Sequence, residues 1–220
     1  MRLERSKNLL DRYAGHDLDF VIFSDEKLFS VEESFNSQNV RIYAACIEDI
    51  REELRTFQRF QHEKKVMIWC GVSKRGKLPL VFIEPGVKVD QKYYREVILN
   101  TVLKPQAERL YDGSAWIFQQ DSAPAHKAKN TQNWLRDNCP GFISSEEWPP
   151  SSPDLNPLDY FIWGTLEARV NAKKHLNLES LRAALQEEWN NFPIEVVREC
   201  IEAWPRRLRS TIAKKGGRFE

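Results

Sequence analysis

Two short apolar runs, residues 19–24 and 115–120, each stop at an aspartate, Asp25 and Asp121. Runs of this length bounded by a charged residue read as buried strands. In an open α/β sheet, side chains just past a strand end emerge into a crevice. A third run, residues 66–73, leads through Lys74-Arg75-Gly76-Lys77 into residues 78–84, closed by Pro85-Gly86. That pattern predicts a hairpin. Asp90 is placed to cap a helix whose apolar stripe is Tyr94, Val97, Ile98 and Val102. After Asp121 come a helix at 127–137, a short strand at 141–144 and the segment WPPSSPDLNP, made rigid by its four prolines. Asn156 and Pro157 suit the N-cap and first position of the next helix. Two further helices follow, one with Leu178, Leu181, Leu185 and Trp189, the other starting at Pro193 with Val197, Ile201 and Trp204. Residues 1–14 read as a polar helix, 27–31 as a short strand, and 32–65 as a long irregular arm. Strands come first with one helix between them, then mostly helices, which predicts an α/β layout around one sheet.

A hydrophobic fraction of 41% with 7 Trp, 12 Phe and 6 Tyr supplies a core and excludes global disorder. No apolar run approaches the roughly 18–20 residues that span a bilayer. The first residues, MRLERSKNLLDRY, are charged throughout and lack the apolar core of a signal peptide. A soluble intracellular protein is expected. Cys46, Cys70, Cys139 and Cys200 lie far apart, so free and mostly buried thiols are expected rather than a zinc knuckle or disulfide framework. The net charge is only +1, but it is unevenly spread. Residues 204–218 hold six Lys or Arg and no acid, and residues 51–77 hold eight against three Glu. Such stretches either meet phosphates, with salt-sensitive and sequence-indifferent affinity, or form a solvated surface and tail.

Asp25, Asp121 and Asp159 stand out by position. Asp159 is the third residue of the helix opened by Asn156 and Pro157. Three carboxylates meeting at one point repel one another unless a cation sits between them. Oxygen ligands with little His or Cys nearby suit Mg²⁺ or Mn²⁺. Two such ions about 3.5–4 Å apart can activate a water or hydroxyl and stabilise the leaving oxygen of a phosphodiester. Other readings of the same residues are ordinary. An aspartate after a strand forms turns, and Asp159 suits a helix N-terminus for its dipole alone. Asp154 is the rival to Asp159, and His126 is either a ligand and proton carrier or a hydrogen-bonding neighbour. Trp69, Trp116, Trp163 and Trp189 read as core.

FSDEKLF around Asp25, FQQDSAPAHKA around Asp121 and WPPSSPDLNPLDYFIWG around Asp159 resemble, in order, the three catalytic blocks of mariner-type transposases. Thirty-seven residues separate Asp121 from Asp159, which resembles the Asp, Asp, 37-residue, Asp branch of that superfamily. The resemblance extends over residues 19–220. It implies an RNase H-like fold with a mixed five-stranded sheet flanked by helices. It implies a DDE/D transposase whose triad, Asp25, Asp121 and Asp159, binds two Mg²⁺ or Mn²⁺ ions. The activity implied is DNA cleavage at transposon ends and strand transfer to a target, in the nucleus, with DNA and a second copy of the chain as partners. It implies neither a membrane partner nor an organic cofactor. The arm at 32–65 resembles an insertion that reaches DNA or a partner subunit, with Arg51, Arg55 and Arg59 as candidate DNA contacts beside Arg206, Arg207 and Arg209 of the basic tail. Residues 1–18 resemble the end of the linker from a paired helix-turn-helix region that reads transposon ends. The chain is accordingly expected to be a catalytic-domain fragment or a truncated or domesticated copy. Two other functions compete: a remnant that binds DNA or a partner without turnover, and a general nuclease acting on RNA or hybrids.

Overall fold

A computed structural model of the chain describes residues 1–31, Cys46 and 64–219. Most of the predicted arm, with Arg51, Arg55 and Arg59, lies outside the described residues. Six strand segments form one mixed sheet: β1 (Val21–Ser30), β2 (Lys65–Ser73), β3 (Gly76–Lys77), β4 (Val81–Ile83), β5 (Ile117–Gln119) and β6 (Gly141–Phe142). The order is β3-β2-β1-β5-β6, with β4 also on β2. β2 runs antiparallel to β1, while β5 and β6 add in parallel on the other side. β4 lies in the predicted hairpin partner, whereas β3 falls on Gly76-Lys77, which the sequence assigned to the turn; the turn itself is Lys74-Arg75. The pairing of Val72 with Lys77 and of Trp69 with Val81 leaves one extra residue between them, a bulge around Pro79, which has no N–H for the ladder. The sheet therefore has five strand positions.

β1 and β2 are apolar on both faces because helices cover both. Val21 and Phe23 of β1, with Ile68, Cys70 and Val72 of β2, face one core. Ile22 and Trp69 face the other. Over the second core lie α2 (residues 91–111) and α4 (Lys129–Asn138), which follows the short α3 (Pro124–Lys127). Asp90 caps α2 by accepting from the N–H groups of Lys92 and Tyr93. Over the first core lie α1 (Arg2–Tyr13), α5 (residues 158–170), α6 (Leu178–Asn190), α7 (Ile194–Glu202) and α8 (Trp204–Ala213). The molecule is a three-layer α/β/α unit.

Three expectations change. The strands expected at 19–24 and 27–31 are one, β1, whose polar middle, Ser-Asp-Glu-Lys, stays paired with β2 throughout. The basic tail at 204–218 is in large part a helix. Trp204, Leu208 and Thr211 of α8 repeat at helical spacing and are buried, while Arg206 and Arg209 point out. The helix expected from Pro193 through Trp204 breaks at Ala203, before Pro205. Three of the cysteines are buried and Cys46 is exposed, all as free thiols. No helix among the described residues is long and apolar enough to cross a membrane.

Helix α1 is packed into this unit rather than trailing from it. Leu9 and Tyr13 belong to the first core, and α1 lies along α8. Its arginines reach the WPPSSPDLNP segment and the residues just before it. Arg5 donates to the carbonyls of Ser145 and Trp148, at 3.1 and 2.7 Å, and Arg2 pairs with Asp154 at 2.5 Å. Leu9→Ala should therefore cost about 2–5 kcal/mol in urea unfolding, as for other buried leucines. A loss below about 0.5 kcal/mol would show that α1 is not part of the cooperative unit.

Candidate active site

β5 is three residues long, and its pairing with β1 ends at Phe23 opposite Gln119. β1 continues for seven residues past that point along β2. Asp25 thus lies in mid-strand rather than after a strand end, a correction to the sequence reading. It is nonetheless where the parallel neighbour stops and a cleft opens. The chain leaving β5 carries Asp121 along one side of the cleft, and the N-terminal turn of α5 carries Asp159 along another. The space enclosed is about 460 Å³, lined by Asp25, Glu26, Asp121, Lys127, Asn156 and Asp159 among others.

Each carboxylate is held by a different device. Asp25 accepts a hydrogen bond from the indole N–H of Trp163 at 2.7 Å. Asp121 accepts from the backbone N–H of Ala123 at 2.9 Å and contacts Nδ1 of His126 at 2.5 Å. Asp159 sits in the first turn of α5, which is wound more widely than an α-helix over Leu158–Ile162. Single wide turns of this kind often occur at functional sites. Asn156 starts that turn, its side-chain oxygen accepting from the N–H of Leu158 at 3.1 Å. Ser151, on the cleft wall, has the left-handed backbone angle φ 50°, which costs a non-glycine residue energy.

Asp154 takes no part in this gathering. It is buried and paired with Arg2, and its carbonyl accepts from Nε of Arg207 at 2.8 Å. Of the two acids around the proline turn, the cleft receives Asp159. Arg207 is engaged inside the protein, stacked 3.8 Å over the Tyr160 ring, whereas Arg206 and Arg209 are exposed on α8.

Sequence reasoning missed three residues here. Glu26 is a fourth carboxylate on the cleft wall, 3.3 Å from Nε2 of His126. Trp163, read as core, is buried but aims its one polar atom at Asp25. Asn156 was read only as a cap, yet its amide also donates to the carbonyl of Ser24 at 3.0 Å. The position of Glu26 beside Asp25 was the one available signal for the first. The other two contacts span more than 130 residues of sequence and leave no local trace.

The electrostatics are those of a site short of positive charge. Burial pushes Asp25 well above the usual carboxylate range, and the charges of Asp159, Glu26 and Asp121 add to this. Asp159 is pushed up to about 6 by its partial burial and by Asp121 and Glu26, although a hydrogen bond with Asp25 works against the rise. The pair holds a proton between them well above the pH at which separate carboxyls lose theirs. Burial also pushes Asp121 upward, but the His126 contact, the imidazole charge and the Ala123 N–H outweigh it and hold Asp121 low. Burial would lower His126, yet Asp121 and Glu26 on its two sides raise it to about 10. The ring lies 4.1 Å from that of Tyr94, and the His126 carbonyl accepts from the amides of Gln120 and Gln132.

Among the described residues, no three His, Cys, Asp or Glu side chains stand close enough to share one ion as placed, since Asp121 leans to His126. The donor set still fits a hard divalent cation. Four carboxylates, those of Asp25, Glu26, Asp121 and Asp159, line one cleft, and the upward shifts of Asp25 and Asp159 mark a repulsion that a cation would relieve.

The sequence model of the DDE superfamily endonucleases matches residues 21–182, and the chain belongs to that superfamily. Its resemblance is to the mariner-type transposases within it. The chain is 35% identical over 151 residues to the Tcb1 transposase of Caenorhabditis briggsae, covering 69% of this chain and 52% of that protein. It therefore spans about half the length of that relative. Among solved structures, the Mos1 transposase paired-end complex with the left transposon end superposes with a TM-score of 0.78 at 22% identity, covering 100% of this chain and 62% of that one. The Mos1 catalytic domain with Raltegravir and Mn gives 0.74 at 21%, covering 100% of this chain and 94% of that one. The fold is the RNase H-like fold of these catalytic domains.

The raised pKa of Asp159 has a sign that can be tested without metal. Its folded value, about 6, lies above the unfolded 3.8, so the ionised group destabilises the fold increasingly as pH rises through that window. In chelator, Asp159→Asn should raise the melting temperature at about pH 8, and the gain should vanish toward about pH 4. A pH-independent difference would contradict this charge crowding.

Proposed function

We propose that this chain cuts DNA and joins the freed 3′-hydroxyl to a second DNA site, as in cut-and-paste transposition, using Asp25, Asp121 and Asp159 with two Mg²⁺ or Mn²⁺ ions. The observation that carries this reading is the gathering of those three carboxylates, from β1, the end of β5 and the start of α5, around one cleft. Such ions would supply Lewis acidity, activating a water or hydroxyl and offsetting charge on the phosphodiester. Asp25 and Asp121 would flank the ions and Asp159 complete the second site. Trp163 keeps one oxygen of Asp25 occupied and so orients the other. His126 holds Asp121 at the cleft edge until a stronger partner takes its place.

DNA, both transposon end and target, is the partner that suits this chemistry, with the exposed Arg206 and Arg209 as backbone contacts. A second copy of the chain is the protein partner, and the nucleus of a eukaryotic host is the compartment where such DNA lies. No organic cofactor or membrane is called for. The alternative, a DNA- or partner-binding remnant without turnover, would keep the basic surface and lack the metal-dependent chemistry.

Asp159→Asn should abolish Mg²⁺- or Mn²⁺-dependent nicking of duplex DNA while leaving the fold intact. Asp154→Asn should keep nicking but lose about 1–3 kcal/mol of stability, because Arg2 loses its charged partner. Asp159→Glu should retain part of the activity if the site adapts to one extra methylene. Nicking by Asp159→Asn with a dead Asp154→Asn would overturn the assignment. Equal cleavage of RNA or hybrid would favour a general nuclease, and DNA binding with no nicking by the wild type would favour the remnant.

A further inference from the structure

The three aspartates of the cleft come from separate parts of the chain, yet one small buried cluster ties those parts together. Ser24 and Asn156 are each 2% exposed, which removes water as an alternative partner for both. The Ser24 hydroxyl donates to the carbonyl of Gln119 at 2.9 Å. The Ser24 carbonyl accepts from the Asn156 side-chain amide at 3.0 Å. The other end of that amide caps α5 through Leu158. Ser24 immediately precedes Asp25, Gln119 lies two residues before Asp121, and Asn156 lies three before Asp159.

We infer that Ser24 and Asn156 are positioning residues whose hydrogen bonds to each other and to Gln119 fix the mutual placement of Asp25, Asp121 and Asp159. The inference rests on the proposed function for its catalytic consequence, but not for its geometry. β1 and β5 stop pairing at Phe23 and Gln119, so beyond that register no ladder bond sets the distance between the segments that carry Asp25 and Asp121. The Ser24 hydroxyl supplies the next link. No strand pairing connects α5 to the sheet; Asn156 tethers its start there, beside the contacts that Trp163 and Glu167 make further along the helix with Asp25 and Lys27. Each carboxylate is one to three residues from its anchor, too short a span for the backbone to absorb an error. Groups that orient ligands in this way typically alter metal affinity or activity about 10–100-fold when lost.

The test uses Asn156→Ser, which keeps a cap oxygen but cannot reach Ser24, and Ser24→Ala, with Ser24→Thr restoring the hydroxyl. The first readout needs no metal and no activity. The indole N–H of Trp163 donates to Asp25, so its nitrogen-proton NMR signal in chelator reports where Asp25 stands. Both disrupting variants should shift that signal and Ser24→Thr should return it toward wild type. The second readout is Mn²⁺ affinity by paramagnetic resonance, expected to fall about 10–100-fold. The third is nicking, with kcat lowered by a similar factor and KM for DNA unchanged. An unmoved Trp163 signal in folded Asn156→Ser and Ser24→Ala would overturn the inference, as would wild-type Mn²⁺ affinity in both. If wild type itself neither binds Mn²⁺ nor nicks DNA, the proposed function fails, and the Trp163 signal alone decides whether the cluster positions Asp25.

Discussion

The structure depends on β1 outrunning its parallel neighbour. β1 is paired with β2 from Phe23 to Ser30, whereas β5 follows it only from Val21 to Phe23. Up to that point the sheet is continuous and β1 is buried on both faces. Beyond it, one edge of a rigid strand is released into a cleft, and Asp25 and Glu26 are the residues found there. A carboxylate in mid-strand cannot swing away from its neighbours as a loop residue can. The antiparallel ladder to β2 thus fixes one member of the acidic group, and the others are brought to it by the end of β5 and the start of α5.

Gathering acids in this way opposes folding, because each ionised carboxylate raises the cost of the next. The protein meets this unevenly. Asp121 is stabilised as an anion by His126 and a backbone amide, and His126 is stabilised in turn by Glu26. Among the described residues, Asp25 and Asp159 have no comparable cationic partner in contact, and both are pushed above the usual carboxylate range instead. One side of the cleft is therefore settled and the other is left in want of charge. Separation of acid/base character among neighbouring groups is a common mark of functional sites. The buried Asp154–Arg2 pair next door shows what a merely structural aspartate looks like in the same segment.

Much of this was legible in the sequence for local reasons. Apolar runs ending in Asp marked the segments that carry Asp25 and Asp121, and the Asn-Pro pair marked the start of α5 and so favoured Asp159. The basis for Asp25 was partly mistaken. Its polar neighbours imitate a strand end because they face a cleft, while their backbone goes on pairing with β2. The basic run after Trp204 imitates a tail because its buried residues, Trp204, Leu208 and Thr211 of α8, are spaced among arginines. Trp163, Asn156 and Ser24 were out of reach for another cause. Their roles are hydrogen bonds across 95 to 138 residues of chain, which no periodicity or spacing encodes.

The most direct measurement is a crystal structure of the chain soaked in Mn²⁺, read by anomalous scattering. The expected result is two anomalous peaks about 3.5–4 Å apart in the cleft. Asp25, Asp121 and Asp159 should bind them, and Asp121 should be turned from His126 toward the metal. Ions bound at Asp154 or elsewhere, or a cleft with no peak at millimolar Mn²⁺, would contradict the account.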